Sequence, residues 1–240
     1  MNVPHASWAD GYDRLYEKSF GSFYRHLTDL TLEVILTQTR PGDRVVDFGA
    51  GTGRLAIPLS RQDRQVTAVE PCVEMLEQLQ GKDSGRLVHV HPCRMADFQS
   101  SMQHDFACCV FTVLLYLLDD EQLSASLKAA AASLRPGGRL LLDVPASSLF
   151  HGVSRSGPDF SRSVRVDSIG QDRYRYVEDS WLLDDAGQKQ LYQDEFTIRY
   201  WPLTTVLQTA ETWGLLLHKD MVHVFAGSGA NYLLFERHGA

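Results

Sequence analysis

A glycine-rich segment between an apolar run and a helical pattern constrains the fold of this sequence more than any other feature. Residues 44–48 form a short apolar β-branched run, residues 49–53 read Gly-Ala-Gly-Thr-Gly, and residues 54–60 resume helical character. This order predicts a strand, a tight loop and a helix. Positions without a side chain let a ligand approach the backbone and the helix N-terminus, so the segment also predicts a binding site for a nucleotide-like cofactor.

The same alternation continues along the first two-thirds of the chain. Further strands are predicted at residues 65–70, 87–91, 105–112 and 139–144, with helices at 72–80 and 121–134 and a turn at 135–138. Buried runs that alternate with helices of this length imply βαβ units and a mainly parallel sheet covered on both faces. A last helix at 203–213 and two strands at 215–225 and 231–238 would complete this sheet as a hairpin.

Two regions fall outside this alternation. Residues 8–38 carry aromatic and apolar side chains at helical spacing and predict two helices, which would form an N-terminal cap over residues 1–38. Residues 146–201 hold alternating segments, and residues 184–187 read as a hairpin turn. We therefore expect a single domain over residues 1–240 with an antiparallel β insertion at 146–201, which serves as an acceptor lid or as the contact of a homodimer.

Composition excludes several classes of protein. The 30 acidic and 23 basic residues give a net charge of −7, which argues against an electrostatically driven nucleic-acid binder. The four cysteines show no CxxC spacing and read as small buried residues, so no metal site is predicted. The start of the sequence lacks the pattern of a signal peptide, and its longest apolar stretch, residues 106–118, is too short to span a membrane. The sequence thus predicts a cytoplasmic protein.

The spacing around the glycine loop distinguishes between cofactors. The glycines run G-x-G-x-G rather than the G-x-G-x-x-G of dinucleotide binders, and Asp47 stands two places before the first of them. A carboxylate there would repel a pyrophosphate but not a ligand that carries an ammonium and a sulfonium. Glu70 stands 17 residues after Gly53, at the end of the second predicted strand, where it can accept hydrogen bonds from both hydroxyls of a ribose.

Taken in order, these motifs resemble the class I S-adenosylmethionine-dependent methyltransferases. The matching segments are VVDFGAGTGRLAIPLS, VTAVEPCVEML, MADF, the fourth strand with VFTVLLYLLDD, and LRPGGRLLLDV, which cover about residues 32–145. The resemblance implies a Rossmann-like, doubly wound α/β sheet of seven strands, mainly parallel with an antiparallel last strand. It also implies S-adenosyl-L-methionine as the cofactor and S-adenosyl-L-homocysteine as the product.

The resemblance assigns site residues position by position. The cofactor-binding residues that it implies are Tyr12, Tyr16, Asp47, Gly49, Ala50, Gly51, Gly53, Glu70, Pro71, Met75, Ala96, Asp97, Phe98 and Phe111. Residues 47–53 would hold the methionine end, Glu70 the ribose, and the later positions the adenine. Two departures occur: Cys72 stands where many members have serine, and no Asn/Asp-Pro-Pro-Tyr-type motif follows the fourth strand. The second departure argues against the branch that methylates adenine, or glutamine in proteins.

Methyl transfer from a sulfonium is a direct displacement, so it requires alignment and exclusion of water more than a protein nucleophile. A base is needed only when the acceptor arrives protonated. Candidate residues at strand ends or in the insertion are Tyr116, His151, Glu178, Glu195, Arg199 and His223. The segments after the fourth and fifth strands should border the methyl group, because ligands bind beyond the carboxyl ends of parallel strands.

Four functions remain open from the sequence. The resemblance favours a methyltransferase for a small-molecule amine or hydroxyl. A methyltransferase for tRNA or protein is disfavoured by the acidic balance, and a nicotinamide oxidoreductase by the glycine spacing and Asp47. A noncatalytic S-adenosylmethionine-binding protein would share the same fold.

Overall fold

A computed structural model describes residues 3–239 of the chain, which fold into two sheets flanked by helices. The strands are β1 Arg44–Phe48, β2 Gln65–Val69, β3 Val88–His91, β4 His104–Cys109, β5 Leu134–Pro145, β6 Val153–Gly157, β7 Phe160–Gly170, β8 Arg173–Leu183, β9 Lys189–Arg199, β10 Leu215–Asp220 and β11 Ala230–Arg237. The helices are α1 Tyr12–Gln38, α2 Ala56–Ser60, α3 Val73–Lys82, α4 Asp120–Ser133 and α5 Leu203–Thr212.

The larger sheet has seven strands in the order β10-β11-β5-β4-β1-β2-β3. Strand β1 pairs in parallel with β2 and β4, and β11 pairs antiparallel with both β5 and β10. This order reverses direction at β1, so the chain is doubly wound and its cofactor site is expected beyond the carboxyl end of β1. The predicted Rossmann-like sheet with an antiparallel last strand is confirmed.

Two clusters of buried side chains cover the two faces of this sheet. Val46 and Phe48 of β1 point into one cluster with α4 and α5, while Val45 of the same strand points into the other. This alternation follows from the period of two along a strand. The sheet is therefore rigid where its strands end at the glycine loop.

The smaller sheet corresponds to the expected insertion. It has four antiparallel strands in the order β6-β7-β8-β9, and β8 joins β9 through the turn at residues 184–187. Within that turn Asp184 accepts hydrogen bonds from the backbone N–H groups of Ala186 and Gln188, which closes the hairpin. Phe160 and Leu182 from its inner face pack against Trp8 and Leu15 of the N-terminal region. The N-terminal cap thus lies between the two sheets.

Helix α1 is interrupted by Gly21, whose φ of 50° and ψ of −120° are non-helical. The sequence predicted two helices in this region, and the kink divides α1 into two helical segments at that residue. Glycine alone adopts this conformation at small cost, so the break has a local cause.

Three predicted element boundaries are wrong by three residues or more, each for an identifiable reason. Strand β4 ends at Cys109 instead of residue 112, because the backbone at Phe111 and Thr112 turns left-handed. Strand β5 begins at Leu134, before the predicted turn, since Leu134 still pairs with His104 across an irregularity in the register. Strand β10 ends at Asp220 rather than residue 225, because the Asp220 carboxylate accepts a hydrogen bond from the backbone N–H of Val222 and starts a turn.

Candidate cofactor and acceptor site

The glycine loop after β1 takes backbone conformations that require glycine. Gly49, Gly51 and Gly53 have φ values of 73°, 53° and 86°. A Cβ atom at Gly49 would collide with the side chain of Val113, whereas one at Gly51 would meet no atom within 4 Å. The first glycine therefore permits close packing against the segment after β4, and the second faces open space beside the backbone.

Glu70 ties this loop to the start of α3. Its carboxylate accepts hydrogen bonds from the backbone N–H of Gly51 at 3.0 Å and of Cys72 at 2.9 Å. The side chain is buried, and burial raises its pKa despite these two bonds. A carboxylate with two partners retains lone pairs for further donors such as ribose hydroxyls.

Asp47 is a second buried carboxyl at the same strand ends. It is 4% exposed, and the Cys108 thiol donates a hydrogen bond to it at 3.3 Å. Burial raises the pKa of Asp47 to about 7, since a charged carboxylate loses its hydration there. A cationic group of a ligand would restore the charged form.

One cavity borders the glycine loop and Asp47, and Glu70 is not among the residues that line it. It is lined by Tyr12, Tyr24, Asp47, Gly49, Ala50, Gly51, Thr52, Arg54, Leu55, Val110 and Phe111. Six of these residues were predicted from the sequence, namely Tyr12, Asp47, Gly49, Ala50, Gly51 and Phe111. Tyr16 does not line the cavity but stacks on Tyr12, with the two ring centroids 4.4 Å apart.

The adenine-side predictions are spread over several environments. Met75 is buried beside Cys72 and Ala9, while Pro71 and Asp97 are exposed and Ala96 is half-buried. Phe98 is a core residue, with its ring 5.6 Å from that of Phe48. The contacts of these residues with a cofactor remain predictions.

Arg54 is a cavity residue that the sequence reasoning missed. Its guanidinium lies 3.7 Å from the ring centroid of Tyr24 and 3.6 Å from that of Phe111, and it donates hydrogen bonds to Thr28 and to the carbonyl oxygen of Tyr24. It thereby links the second half of α1 to the segment after β4. The sequence could have indicated Arg54, because this residue directly follows the last glycine of the loop.

The segment after β4 is held in a strained conformation. Phe111 and Thr112 have φ values of 63° and 71°, and the Asp143 carboxylate accepts a hydrogen bond from the Thr112 N–H at 2.9 Å. Burial raises the pKa of Asp143 to about 7. Non-glycine residues in this region concentrate at functional sites, where the surrounding structure imposes the conformation.

Comparisons with known proteins agree on one family. Residues 45–138 match the family model described as a methyltransferase domain. The chain is 32% identical over 188 residues to a ubiquinone/menaquinone biosynthesis C-methyltransferase of Teredinibacter turnerae, and the match covers 72% of this chain and 73% of that protein. This protein belongs to the class I S-adenosylmethionine-dependent methyltransferases.

Other similarities extend across the family. A cypemycin N-terminal methyltransferase of a Streptomyces species is 27% identical over 186 residues, which cover 78% of this chain and 72% of the relative. The solved structure of S-adenosylmethionine-bound CalS10, an amino pentose methyltransferase from Micromonospora echinaspora, superposes with a TM-score of 0.75 at 21% identity. That superposition covers 94% of this chain and 96% of CalS10, and it shows the shared fold.

The methyltransferase cavity suits S-adenosylmethionine chemically. Gly51 and the acidic Asp47 line the cavity and suit a ligand with positive charge, and the buried Glu70 carboxylate, bonded to the Gly51 N–H, is an acceptor for a diol beside that loop. Within residues 3–239, no group of three or more His, Cys, Asp or Glu side chains is placed to hold a metal ion. None of the helices in that range combines the length and apolarity needed to cross a membrane.

The residues that the sequence predicted as candidate bases fall into two groups in this methyltransferase. Tyr116 is brought into a buried cluster, where its hydroxyl lies 2.7 Å from Nε2 of His5. The other group lies outside the cavity: His151 and His223 are exposed, Glu195 pairs with Arg175, and Arg199 pairs with Asp120. A contact between Tyr116 and an acceptor remains a prediction.

Glu178 is buried but already paired. Arg162 donates to both of its carboxylate oxygens, at 2.8 and 3.1 Å, and Tyr176 and Ser180 donate as well. Burial acts to raise the pKa of Glu178, but the hydrogen bonds and charge of Arg162 lower it overall. The Arg162 guanidinium also lies 4.4 Å from the ring centroid of Tyr16, so this pair fastens the insertion to α1.

Proposed function

We propose that this methyltransferase transfers a methyl group to an amine or hydroxyl of a small molecule by direct in-line displacement. The observation that carries the proposal is the position of the cavity. Its Tyr12 border adjoins a cluster of aromatic and polar side chains, formed by His5 of the N-terminal cap, Tyr116 of the segment after β4, and Asp194 and Phe196 of the smaller sheet. An acceptor bound among these elements would face the methyl end of the cofactor.

Bound S-adenosylmethionine supplies an electrophilic methyl group on its sulfonium. In our proposal Asp47 and residues 49–53 bind the methionine end, and Glu70 binds the ribose. Tyr12 covers the cavity with its ring, which favours a cation electrostatically. The protein accelerates the reaction by fixing the two reactants and excluding water, without a covalent intermediate.

An amine acceptor is favoured over a hydroxyl by the charge of the neighbouring cluster. Asp194 of β9 is 5% exposed, and its carboxylate lies within this aromatic environment beside Trp8. A buried carboxylate near an aromatic surface attracts a protonated amine, which has to lose that proton to solvent or to a base before its nitrogen can attack the methyl group. The names of the cypemycin and amino pentose relatives describe nitrogen-bearing acceptors, while that of the Teredinibacter relative describes carbon methylation.

The insertion is proposed as a lid over the acceptor. Its strands β7 and β8 carry Phe160 and Leu182 against the cap, so residues 146–201 lie beside the aromatic cluster. A homodimer contact is the alternative role, and light scattering during size-exclusion chromatography distinguishes the two. A monomer that retains activity would support the lid alone.

The first test of this function is calorimetric titration with S-adenosylmethionine and, separately, with NADH. We expect binding of the sulfonium cofactor alone, lost in Glu70→Ala and Gly51→Val and retained in the control Glu211→Ala, which changes an exposed residue of α5. Binding of NADH instead would contradict the proposal.

The second test measures transfer of an isotopically labelled methyl group to chosen acceptors. The panel contains a nucleotide-linked amino sugar, a peptide with a free amino terminus, a polyphenol, a quinol and unmodified tRNA. Methylation of an amine or hydroxyl compound supports the proposal, whereas methylation of tRNA or of the quinol ring carbon refutes it. Tight cofactor binding without turnover on any acceptor would favour a noncatalytic binding protein.

A further inference from the structure

Two buried polar side chains and one half-buried one meet where the N-terminal segment, the segment after β4 and strand β9 converge. They are His5, Tyr116 and Asp194, and none of them is needed to form the cofactor cavity. His5 is 111 positions from Tyr116 and 189 positions from Asp194 in the sequence, so the contact is a product of the tertiary fold. The inference drawn from it rests on the proposed function.

Asp194 is fixed by three N–H donors. Its Oδ2 accepts from the backbone N–H of His5 at 2.6 Å and from Nε1 of Trp8 at 3.2 Å, and its Oδ1 accepts from the backbone N–H of Glu195 at 3.0 Å. The carboxylate therefore has a defined position beside the His5 ring.

The His5 ring lies between this carboxylate and Tyr116. Its Nδ1 is 3.6 Å from Asp194 Oδ2 and forms no hydrogen bond with the rest of residues 3–239, while its Nε2 is 2.7 Å from the Tyr116 hydroxyl. A carboxylate facing Nδ1 favours the tautomer with the proton on that nitrogen. Nε2 is then a hydrogen-bond acceptor, and the Tyr116 hydroxyl has to donate its proton to it.

The backbone of His5 supports this arrangement. Its φ is 67°, a left-handed conformation that a residue with a side chain adopts when surrounding contacts impose it. The ring is held by aromatic contacts, with its centroid 5.5 Å from Tyr12, which lines the cofactor cavity, and 5.2 Å from Phe196. The His5 ring is thus in contact with a residue that lines the cavity, and Tyr116 is bonded to that ring.

We propose that the Tyr116 oxygen accepts a hydrogen bond from the N–H or O–H of the methyl acceptor, and that His5 and Asp194 are positioning residues that hold the hydroxyl in this orientation. Because its own proton is directed to His5, the Tyr116 oxygen offers only lone pairs to a substrate. The site therefore selects acceptors that carry a hydrogen on the nucleophilic atom. Primary and secondary amines and hydroxyls fit this requirement, and tertiary amines do not.

The charge states of the groups agree with this orientation. Burial lowers the pKa of His5 to about 4. The charges of Asp194 and Glu178 act to raise this pKa, and the charge of Arg162 lowers it further. Burial also raises the pKa of Tyr116 well above its usual value. At neutral pH the pair is thus a neutral imidazole and an intact hydroxyl, as the proposed hydrogen bond needs.

Nuclear magnetic resonance of the protein labelled with ¹⁵N-histidine tests the orientation without an acceptor. With the protein saturated with S-adenosylhomocysteine, we expect the His5 signal to show a proton on Nδ1 and none on Nε2 from pH 6 to pH 8. Asp194→Asn should shift the population toward the Nε2-protonated tautomer. A wild-type proton on Nε2, or no change in the variant, would overturn the proposal.

Tyr116→Phe tests the contact with the acceptor, and Tyr192→Phe, which removes the hydroxyl of another half-buried tyrosine packed against the N-terminal cap, is the matched control. Using a primary amine and its N,N-dimethyl derivative as probes, we expect Tyr116→Phe to lower kcat/KM for the primary amine about tenfold and to reduce the preference between the two. The affinity for S-adenosylhomocysteine should not change. If a folded Tyr116→Phe variant keeps the wild-type preference for the primary amine, the contact is refuted. If the wild-type protein does not bind the cofactor, the proposed function is refuted instead.

Discussion

The affinity for S-adenosylmethionine should rise between pH 6 and pH 7, because Asp47 has to lose a proton when a cationic ligand binds. The pKa of Asp47 in the free protein is about 7. Its ionised fraction is then about one-eleventh at pH 6 and about one half at pH 7, so Kd should fall about fivefold over this interval. The ligand's amino group has an ordinary pKa near 7.7–8.0 and stays largely protonated across it.

Calorimetric titration in buffers of different ionisation enthalpy measures both Kd and the protons released. We expect close to one proton per bound ligand at pH 6 and about half a proton at pH 7. In Asp47→Asn both the slope and most of the proton release should be lost, apart from the contribution of Glu70, whose pKa is also raised by burial. A wild-type Kd that is flat, or that increases with pH, would refute the assignment of Asp47.

The same carboxyl gives a second, ligand-free measurement. Because its pKa is raised from 3.8 in the unfolded chain to about 7 in the folded one, the folded state binds more protons between these two values. The contribution of Asp47 to the free energy of unfolding therefore decreases as pH rises through that window. Denaturant titrations of the free protein should show a shallower pH dependence in Asp47→Asn than in the wild type. An equal slope in the two proteins would mean that burial does not shift this group.

Three further predictions concern particular contacts. Gly49→Ala should abolish cofactor binding and lower Tm, because the added Cβ would collide with Val113. Gly42→Ala, whose Cβ would meet no neighbour, controls for the positive φ alone. Equal Tm values in the two variants would contradict this prediction. Arg162→Met should cost about 3–5 kcal/mol in urea unfolding by leaving Glu178 buried without its partner, and the double variant with Glu178→Gln should recover much of that loss. Glu70→Gln should weaken S-adenosylmethionine binding about tenfold, since an amide offers one acceptor oxygen instead of two; unchanged calorimetric affinity would remove Glu70 from the site.

The sequence alone determined the fold class and the identity of the cofactor, and it predicted residues that bind it. The strand, glycine loop and helix at residues 44–60 are local features, because their conformation follows from β-branched residues, positive φ and helical periodicity within a short window. The spacing from Gly53 to Glu70 could be recognised because both residues belong to one short stretch of the chain. The end of β4 was missed because Asp143, from the neighbouring strand, fixes the turn at Thr112.

The contact that we propose for the acceptor depends on the tertiary structure. His5, Tyr116 and Asp194 have no common local pattern, and they become neighbours only when the cap, the segment after β4 and strand β9 pack together. Arg54 likewise acquires its role from Tyr24 and Phe111, which lie far from each other in the chain. A contact between distant residues depends on how whole elements pack, and a local window of sequence does not contain that information.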